Sequence, residues 1–221
     1  MHDLRPHLTS LIAAGVFQPR GAGAPIIQFM AARRGEGTSS VAASAALLAC
    51  ESSARPVWLI DADFTGNAVY NAFAEGRLSG IGRPGRPLDA SLGTPQIYRL
   101  AGGAETPGSG KLLTLHQIGE TRLFVTRFRT ERLAPGQSVH FTDAPDWWQA
   151  VRRIAGCVVI DCPAFSDASL ALRLAAVADG AVLVVGADAT PAAEVAALAS
   201  AYQAAGGQVL GTVLNRSAMR R

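Results

Sequence analysis

The chain has 221 residues, 49% of them hydrophobic and 17% charged, which is enough apolar mass for one sizeable core and short for two domains. Its formal net charge of +3 is mild and gives no reason to expect nucleic acid, and Lys111 is the only lysine among 20 basic residues, so arginine runs are read as composition before they are read as sites. No stretch approaches about 18 consecutive apolar residues, and the N-terminus MHDLRPHLTSLIAAGVF lacks a signal-peptide core, so the expectation is a cytoplasmic protein without a transmembrane helix.

Residues 1–24 read as a short amphipathic helix, Leu8 to Val16, and a Gly/Pro linker; the helix packs on the domain edge or docks a partner. The domain proper is expected over 25–216. Ile26-Ile27-Gln28-Phe29-Met30 is a buried strand, Arg33 to Ser40 a polar turn with two glycines, and Val41 to Leu48 the body of an Ala-rich helix. Val57 to Asp63 is a second strand ending in two acids. Residues 76–120 hold many Gly and Pro residues and little periodicity, and read as an irregular surface insertion. Inside it, Thr106 to Lys111 imitates a phosphate loop, but no strong strand precedes it and Leu112 stands where Ser or Thr is needed, so it reads as a flexible loop.

Arg122 to Phe128 alternates like a strand, and Asp143 to Ile154 reads as a helix with Asp143 or Asp146 near its start. Cys157 to Pro163 is a buried strand with Asp161 near its end, Ser169 to Ala178 is helical, and Gly180 to Gly186 is another buried strand. Thr190 as N-cap and Pro191 as first residue open a helix that Gly206-Gly207 stops, and Gln208 to Asn215 is the last strand. Residues 217–221 are a short basic tail. Uniformly apolar strands separated by helices predict a doubly wound α/β domain, with a mostly parallel sheet of about seven strands covered by helices on both faces. Cys50, Cys157 and Cys162 have no metal-ligand spacing, and the last two read as buried thiols.

Strand, glycine turn and helix N-terminus together form the layout of a phosphate-binding loop, in which backbone N–H groups face an anion. Gly35 and Gly37 allow close backbone approach, Ser39 stands where such a loop places its magnesium ligand, and Thr38 stands where it carries a lysine. Phosphoryl-transfer sites of this kind add an acid at a neighbouring strand end. Asp161 fits that role, and Asp61 or Asp63 could hold the metal or position a water. Each acid taken alone is equally a strand-end turn or a helix cap.

With these motifs the sequence resembles the MinD/ParA group of P-loop ATPases, and within it the cytoplasmic domain of bacterial tyrosine kinases of capsular and extracellular polysaccharide export. The GEGKST-like loop corresponds to Gly35-Glu36-Gly37-Thr38-Ser39-Ser40, the strand ending in DAD to Leu59-Ile60-Asp61-Ala62-Asp63, and the IDTPP-like motif to Ile160-Asp161-Cys162-Pro163-Ala164. The block from Asp179 to Arg216 is similar nearly throughout. The resemblance covers roughly 25–76 and 121–216 and implies ATP or ADP and Mg2+ as cofactors. It implies a nucleotide held by Arg33, Arg34 and the loop through Ser40, with Asn215 and Arg216 near the base. It implies a metal at Ser39, Asp61 and Asp161. Arg33 falls on the signature lysine that reaches a nucleotide across a dimer; a solvated arginine is the other reading.

The departures decide the functional expectation. Thr38 replaces a lysine whose charge-assisted bonds to phosphate are each worth roughly 1.5–3 kcal/mol. The tyrosines are only Tyr70, Tyr98 and Tyr202, so a tyrosine-tail autokinase is not expected. A GTTS-type loop in a cellulose-synthesis accessory group also lacks the lysine, which suits an accessory role in polysaccharide secretion. The expectation is a degenerate relative of the export kinases that binds nucleotide weakly, has at most weak ATPase activity, and acts with a membrane polysaccharide co-polymerase, peripheral at the inner membrane through it. The alternatives are an active MinD/ParA-type ATPase that dimerises on ATP to position cargo or a secretion machine, and a scaffold that has lost nucleotide and Mg2+.

Overall fold

The computed structural model describes residues 1–78, 80–103, 111–165 and 170–216. The apolar runs become strands β1 (Ile26–Ala31), β2 (Val57–Asp61), β8 (Cys157–Asp161) and β9 (Gly180–Gly186), and the first three are buried along their whole length. Burial on both faces is why they read as continuous apolar runs rather than alternations. The alternation survives in the packing. Ile26 and Met30 face one core layer, with Trp58, Ile60, Val158 and Trp147. Ile27, Phe29 and Ala31 face the other, with Leu59, Val159 and the helix that follows the loop.

That helix, α2 (Thr38–Ser52), is buried from Val41 to Ala49. Its alanines let it lie close on the sheet, and its outer side is covered in turn by the N-terminal segment. Leu8, Leu11 and Val16 share its core layer, and the Leu4 N–H donates to Ser44 Oγ at 2.8 Å. The N-terminal helix is shorter than its pattern predicts: a 3-10 turn (Arg5–His7) leads into α1 (Thr9–Ala13).

The main sheet has eight strands in the order β10 (Val209–Asn215), β9, β1, β8, β2, β6 (Leu123–Phe128), β5 (Leu113–Gln117), β3 (Leu88–Asp89). From β10 to β6 every pairing is parallel; β6–β5 and β5–β3 are antiparallel. The stretch 76–120, expected to be irregular, therefore supplies strands, with Leu113, Leu115, Ile118 and Ile97 in the core. Polar residues hid β5. Thr114 and His116 are buried, Thr114 donating to the Arg127 carbonyl at 3.1 Å and His116 Nδ1 to the Gly85 carbonyl at 2.8 Å. A separate antiparallel ribbon pairs β4 (Tyr98–Ala101) with β7 (Ser138–Phe141). The imitation loop at 106–110, the start of the helix expected from Ser169 and the tail 217–221 lie outside the described residues.

Among the described residues the remaining α-helices are α3 (Ala68–Ala74), α4 (Pro145–Ile154), α5 (Leu170–Arg173) and α6 (Ala192–Ala204). One expected acid is in place and one expected cap is absent. Asp146 sits in the first turn of α4, near its start as expected, and Asp143, just ahead of the helix, pairs with Arg173 at 2.7 Å. Thr190 does not cap α6, because Pro191 is the N-cap and the Thr190 hydroxyl donates to the Glu36 carboxylate instead. The C-terminal stop of α6 does form: Gly206 takes the left-handed φ of 86° and the Gly207 N–H returns to the Tyr202 carbonyl at 3.0 Å. Among the described residues no helix is long and apolar enough to cross a membrane.

Candidate nucleotide site

The C-terminal ends of β1, β2 and β8 lie side by side, with Asp61 level with Asp161 and Phe29 level with Asp161. Open α/β sheets bind ligands at this edge. The loop after β1 turns over it and delivers the N-terminus of α2. Gly37 is the helix N-cap with φ 89°, and a Cβ there would lie 2.2 Å from Asn215 Nδ2, so the position demands glycine for both reasons. Asn215 Nδ2 donates to the Glu36 carbonyl at 2.7 Å. Hence Asn215 braces the loop, and neither it nor Glu36 lines the cavity. Glu36 itself is buried, takes the Thr190 hydroxyl on Oε1 and leaves Oε2 without a partner among the described residues.

The cavity under the loop has a volume of about 360 Å3. Of the expected site residues, Arg33, Arg34, Gly35, Gly37, Thr38, Ser39 and Ser40 line it from the loop, and Asp61, Asp63, Asp161 and Arg216 from the strand ends. Cys162, Pro163, Ala164 and Ala68 complete the wall. The spacing of the motifs did not point to Ala68. It comes with α3, whose start is fixed by Asp61.

The three acids have different surroundings. Asp61 is buried and both its oxygens are bonded: Oδ1 accepts the Asp63 N–H at 3.0 Å and Oδ2 the Val69 N–H at 3.1 Å. It therefore ties the 62–67 turn and the first turn of α3 to the sheet. Burial pushes its pKa up to about 6, with the neighbouring Asp63 adding to the shift and the backbone N–H bonds opposing it. Asp63 is exposed and serves its own turn, Oδ1 accepting Thr65 Oγ1 at 2.7 Å and the Thr65 and Gly66 N–H groups at 3.1 Å.

Asp161 is the acid with capacity left. It is buried, it accepts the Ser39 hydroxyl, and its Oδ1 has no partner among the described residues. Burial raises its pKa well above the ordinary range, the Asp61 charge adds to this, and the Ser39 bond opposes it. An orphaned carboxylate oxygen beside a loop hydroxyl, at a helix N-terminus, suits a Mg2+ ion carrying phosphate. Among the described residues no group of three or more His, Cys, Asp or Glu could hold a metal alone.

No lysine is present in this cavity. The cations are arginines, and Arg33 is engaged: Nε donates to Glu194 Oε2 at 2.6 Å, Nη2 pairs with Oε1, and Nη1 reaches the Ala189 carbonyl at 3.3 Å.

No protein-family model matches the chain, and no curated protein matches it. Solved structures do. The VpsO kinase domain is 18% identical over 97% of this chain and 93% of its own, with a TM-score of 0.58. The kinase domain of Escherichia coli tyrosine kinase ETK is 15% identical over 98% and 77%, with a TM-score of 0.55. The septum site-determining protein MinD of Pyrococcus horikoshii OT3, solved with Mg-ADP, is 17% identical over 88% and 71%, with a TM-score of 0.56. With the parallel sheet, the glycine loop and the strand-end acids in place, the chain has the MinD-like P-loop NTPase fold that MinD ATPases share with bacterial tyrosine-kinase domains.

Proposed function

We propose that this protein is a nucleotide-binding accessory factor of exopolysaccharide or capsule export, a degenerate relative of the tyrosine kinases whose fold it shares. It acts with a membrane polysaccharide co-polymerase and sits at the inner membrane through that partner. The observation that carries the nucleotide half is Asp161, a buried carboxylate beside Ser39 under a glycine loop, with one oxygen unpartnered among the described residues. Ser39 and Asp161 would hold Mg2+, with Asp61 fixing the turn beside them, and the N–H groups from Gly35 to Ser40 would hold the phosphates. Bound Mg2+ would neutralise phosphate charge. The accessory half is supported by Thr38 in place of the lysine, by the motif resemblance to the export kinases, and by tyrosine-kinase domains among the similar structures.

Isothermal titration tests this directly. Mg-ADP and Mg-ATP should bind, with affinity lost when Mg2+ is chelated. No heat at millimolar nucleotide would leave the scaffold reading. A MinD-type ATPase that dimerises on ATP is the second reading, favoured by the MinD neighbours. It requires steady turnover and an ATP-dependent dimer in light scattering, and the accessory reading requires neither.

A further inference from the structure

A second cavity, about 570 Å3, lies on the other side of Asp63, which lines both. Its walls are the 62–65 turn, the β4–β7 ribbon and α5. The turn and the ribbon are locked together, Phe64 stacking on Phe141 at 5.4 Å and on Phe128 of β6 at 5.2 Å between ring centroids, and α5 is tied to the ribbon by Arg173. The cleft is therefore preformed, and its volume is in the range of small-molecule sites.

Besides Asp63, whose Oδ1 is taken up by the Thr65 and Gly66 donors, its polar groups divide into two sets. Arg99 and His140 are level with each other across the ribbon, and Arg173 faces them from α5. The Arg99 side chain makes no hydrogen bond or ion pair with the described residues. Arg173 shares its charge with Asp143 at 2.7 Å and donates to the Phe141 carbonyl at 3.4 Å; His140 Nε2 lies 3.0 Å from Ser138 Oγ. Guanidinium forks of this kind match phosphate or carboxylate oxygens. The second set is Thr65 and Thr142. Their hydroxyl protons are already committed, Thr65 to Asp63 Oδ1 and Thr142 to the Gln96 carbonyl, each at 2.7 Å. What these hydroxyls offer the cleft is lone pairs, and lone pairs accept from a ligand's O–H groups. Cations and lone-pair acceptors lining one cleft suit a polyhydroxylated anion better than a bare ion.

We propose that this cleft binds a sugar carrying a phosphate or a carboxylate. This goes beyond the nucleotide reading and does not depend on it.

The test is titration of the full chain with glucose 1-phosphate, glucuronate, glucose and inorganic phosphate, each with and without saturating Mg-ADP. Arg99→Glu and Thr142→Val are measured beside the parent. Glucose 1-phosphate or glucuronate should bind at least about 10-fold more tightly than glucose or inorganic phosphate, with Mg-ADP present or absent. The tighter of the two identifies the anionic group. Arg99→Glu should weaken that binding about 10-fold or more and leave Mg-ADP affinity unchanged, and Thr142→Val should narrow the gap to inorganic phosphate. Three results would overturn the proposal: no binding of either sugar anion at about 10 mM, inorganic phosphate binding as well as both, or Arg99→Glu having no effect. Loss of Mg-ADP binding in Arg99→Glu would also overturn it, by making the cleft part of the nucleotide site. Failure of Mg-ADP to bind the parent would sink the nucleotide reading and leave this one standing.

Discussion

Single residues at the loop decide how much chemistry the fold can do here. Thr38 offers a hydroxyl where a lysine would offer charge, so Thr38→Lys should raise ATP affinity about 10-fold or more, the worth of one charge-assisted bond. Arg33→Ala separates the cases: if Arg33 already fills the phosphate role despite Glu194, that variant loses binding and Thr38→Lys gains little. Calorimetry on both variants reads the outcome. Asp161 carries a cost when no metal is bound, because its folded pKa is raised above the ordinary carboxylate range. The folded state holds the proton more tightly than the unfolded state. The penalty is absent in acid and grows as pH climbs through the ordinary carboxylate pKa of about 4 toward the folded value. Asp161→Asn should therefore raise the melting temperature of Mg2+-free protein at pH 8, with the gain shrinking toward pH 4, and should cost at least about 10-fold in Mg-ADP affinity. A melting temperature that does not rise at pH 8 would contradict this account of the buried charge.

Elements add constraints that no residue carries alone. The β1–loop–α2 unit works because Gly37 takes a left-handed φ against the amide of Asn215, a residue from the far end of the chain. Gly37→Ala should cost about 1–2 kcal/mol in backbone strain and displace Asn215 as well, lowering the melting temperature and weakening nucleotide binding together. If scanning calorimetry gave a parent-like melting temperature, the bracing role of Asn215 would fall. Strand β5 brings its own pH dependence, opposite in sign to that of Asp161. Burial pushes the His116 pKa down, the Arg127 and Arg129 charges add to this, and the Gly85 carbonyl opposes it. The unfolded state then binds the proton more readily, so this part of the stability is complete above the ordinary histidine pKa of about 6.5 and is lost as pH falls below it. His116→Gln should flatten the stability curve between pH 7 and pH 5 in urea titrations.

For the whole molecule, the tyrosine inventory joins with where the fold puts each ring. Tyr202 is fully buried and its hydroxyl donates to Gln28 inside the core. Tyr70 lies against His116 and under Arg127, and Tyr98 packs edge-on to Phe64 and Phe128. None of the three lines the nucleotide cavity. Incubation with ATP and Mg2+ should leave the protein without phosphotyrosine, and mass spectrometry finding stoichiometric phosphate on any of them would reject the non-kinase reading.

The sequence by itself determined what short-range patterns encode. Apolar runs became the parallel strands, glycine spacing became the loop, and each acid fell at or just beyond its strand end. Those signals survive because strand burial and turn geometry act within a few residues. Only the tertiary structure separated the acids, since Asp61 spends both oxygens on backbone N–H groups while Asp161 keeps one without a partner among the described residues. Only the tertiary structure turned Thr190 away from its helix toward Glu36, and Asn215 away from the cavity to the loop, across sequence separations of 154 and 179 residues. It also made a core strand of Leu113–Gln117, whose buried Thr114 and His116 find partners in other segments. Hydrogen-bond satisfaction of a buried polar group depends on what the rest of the chain brings to it, and no local pattern records that.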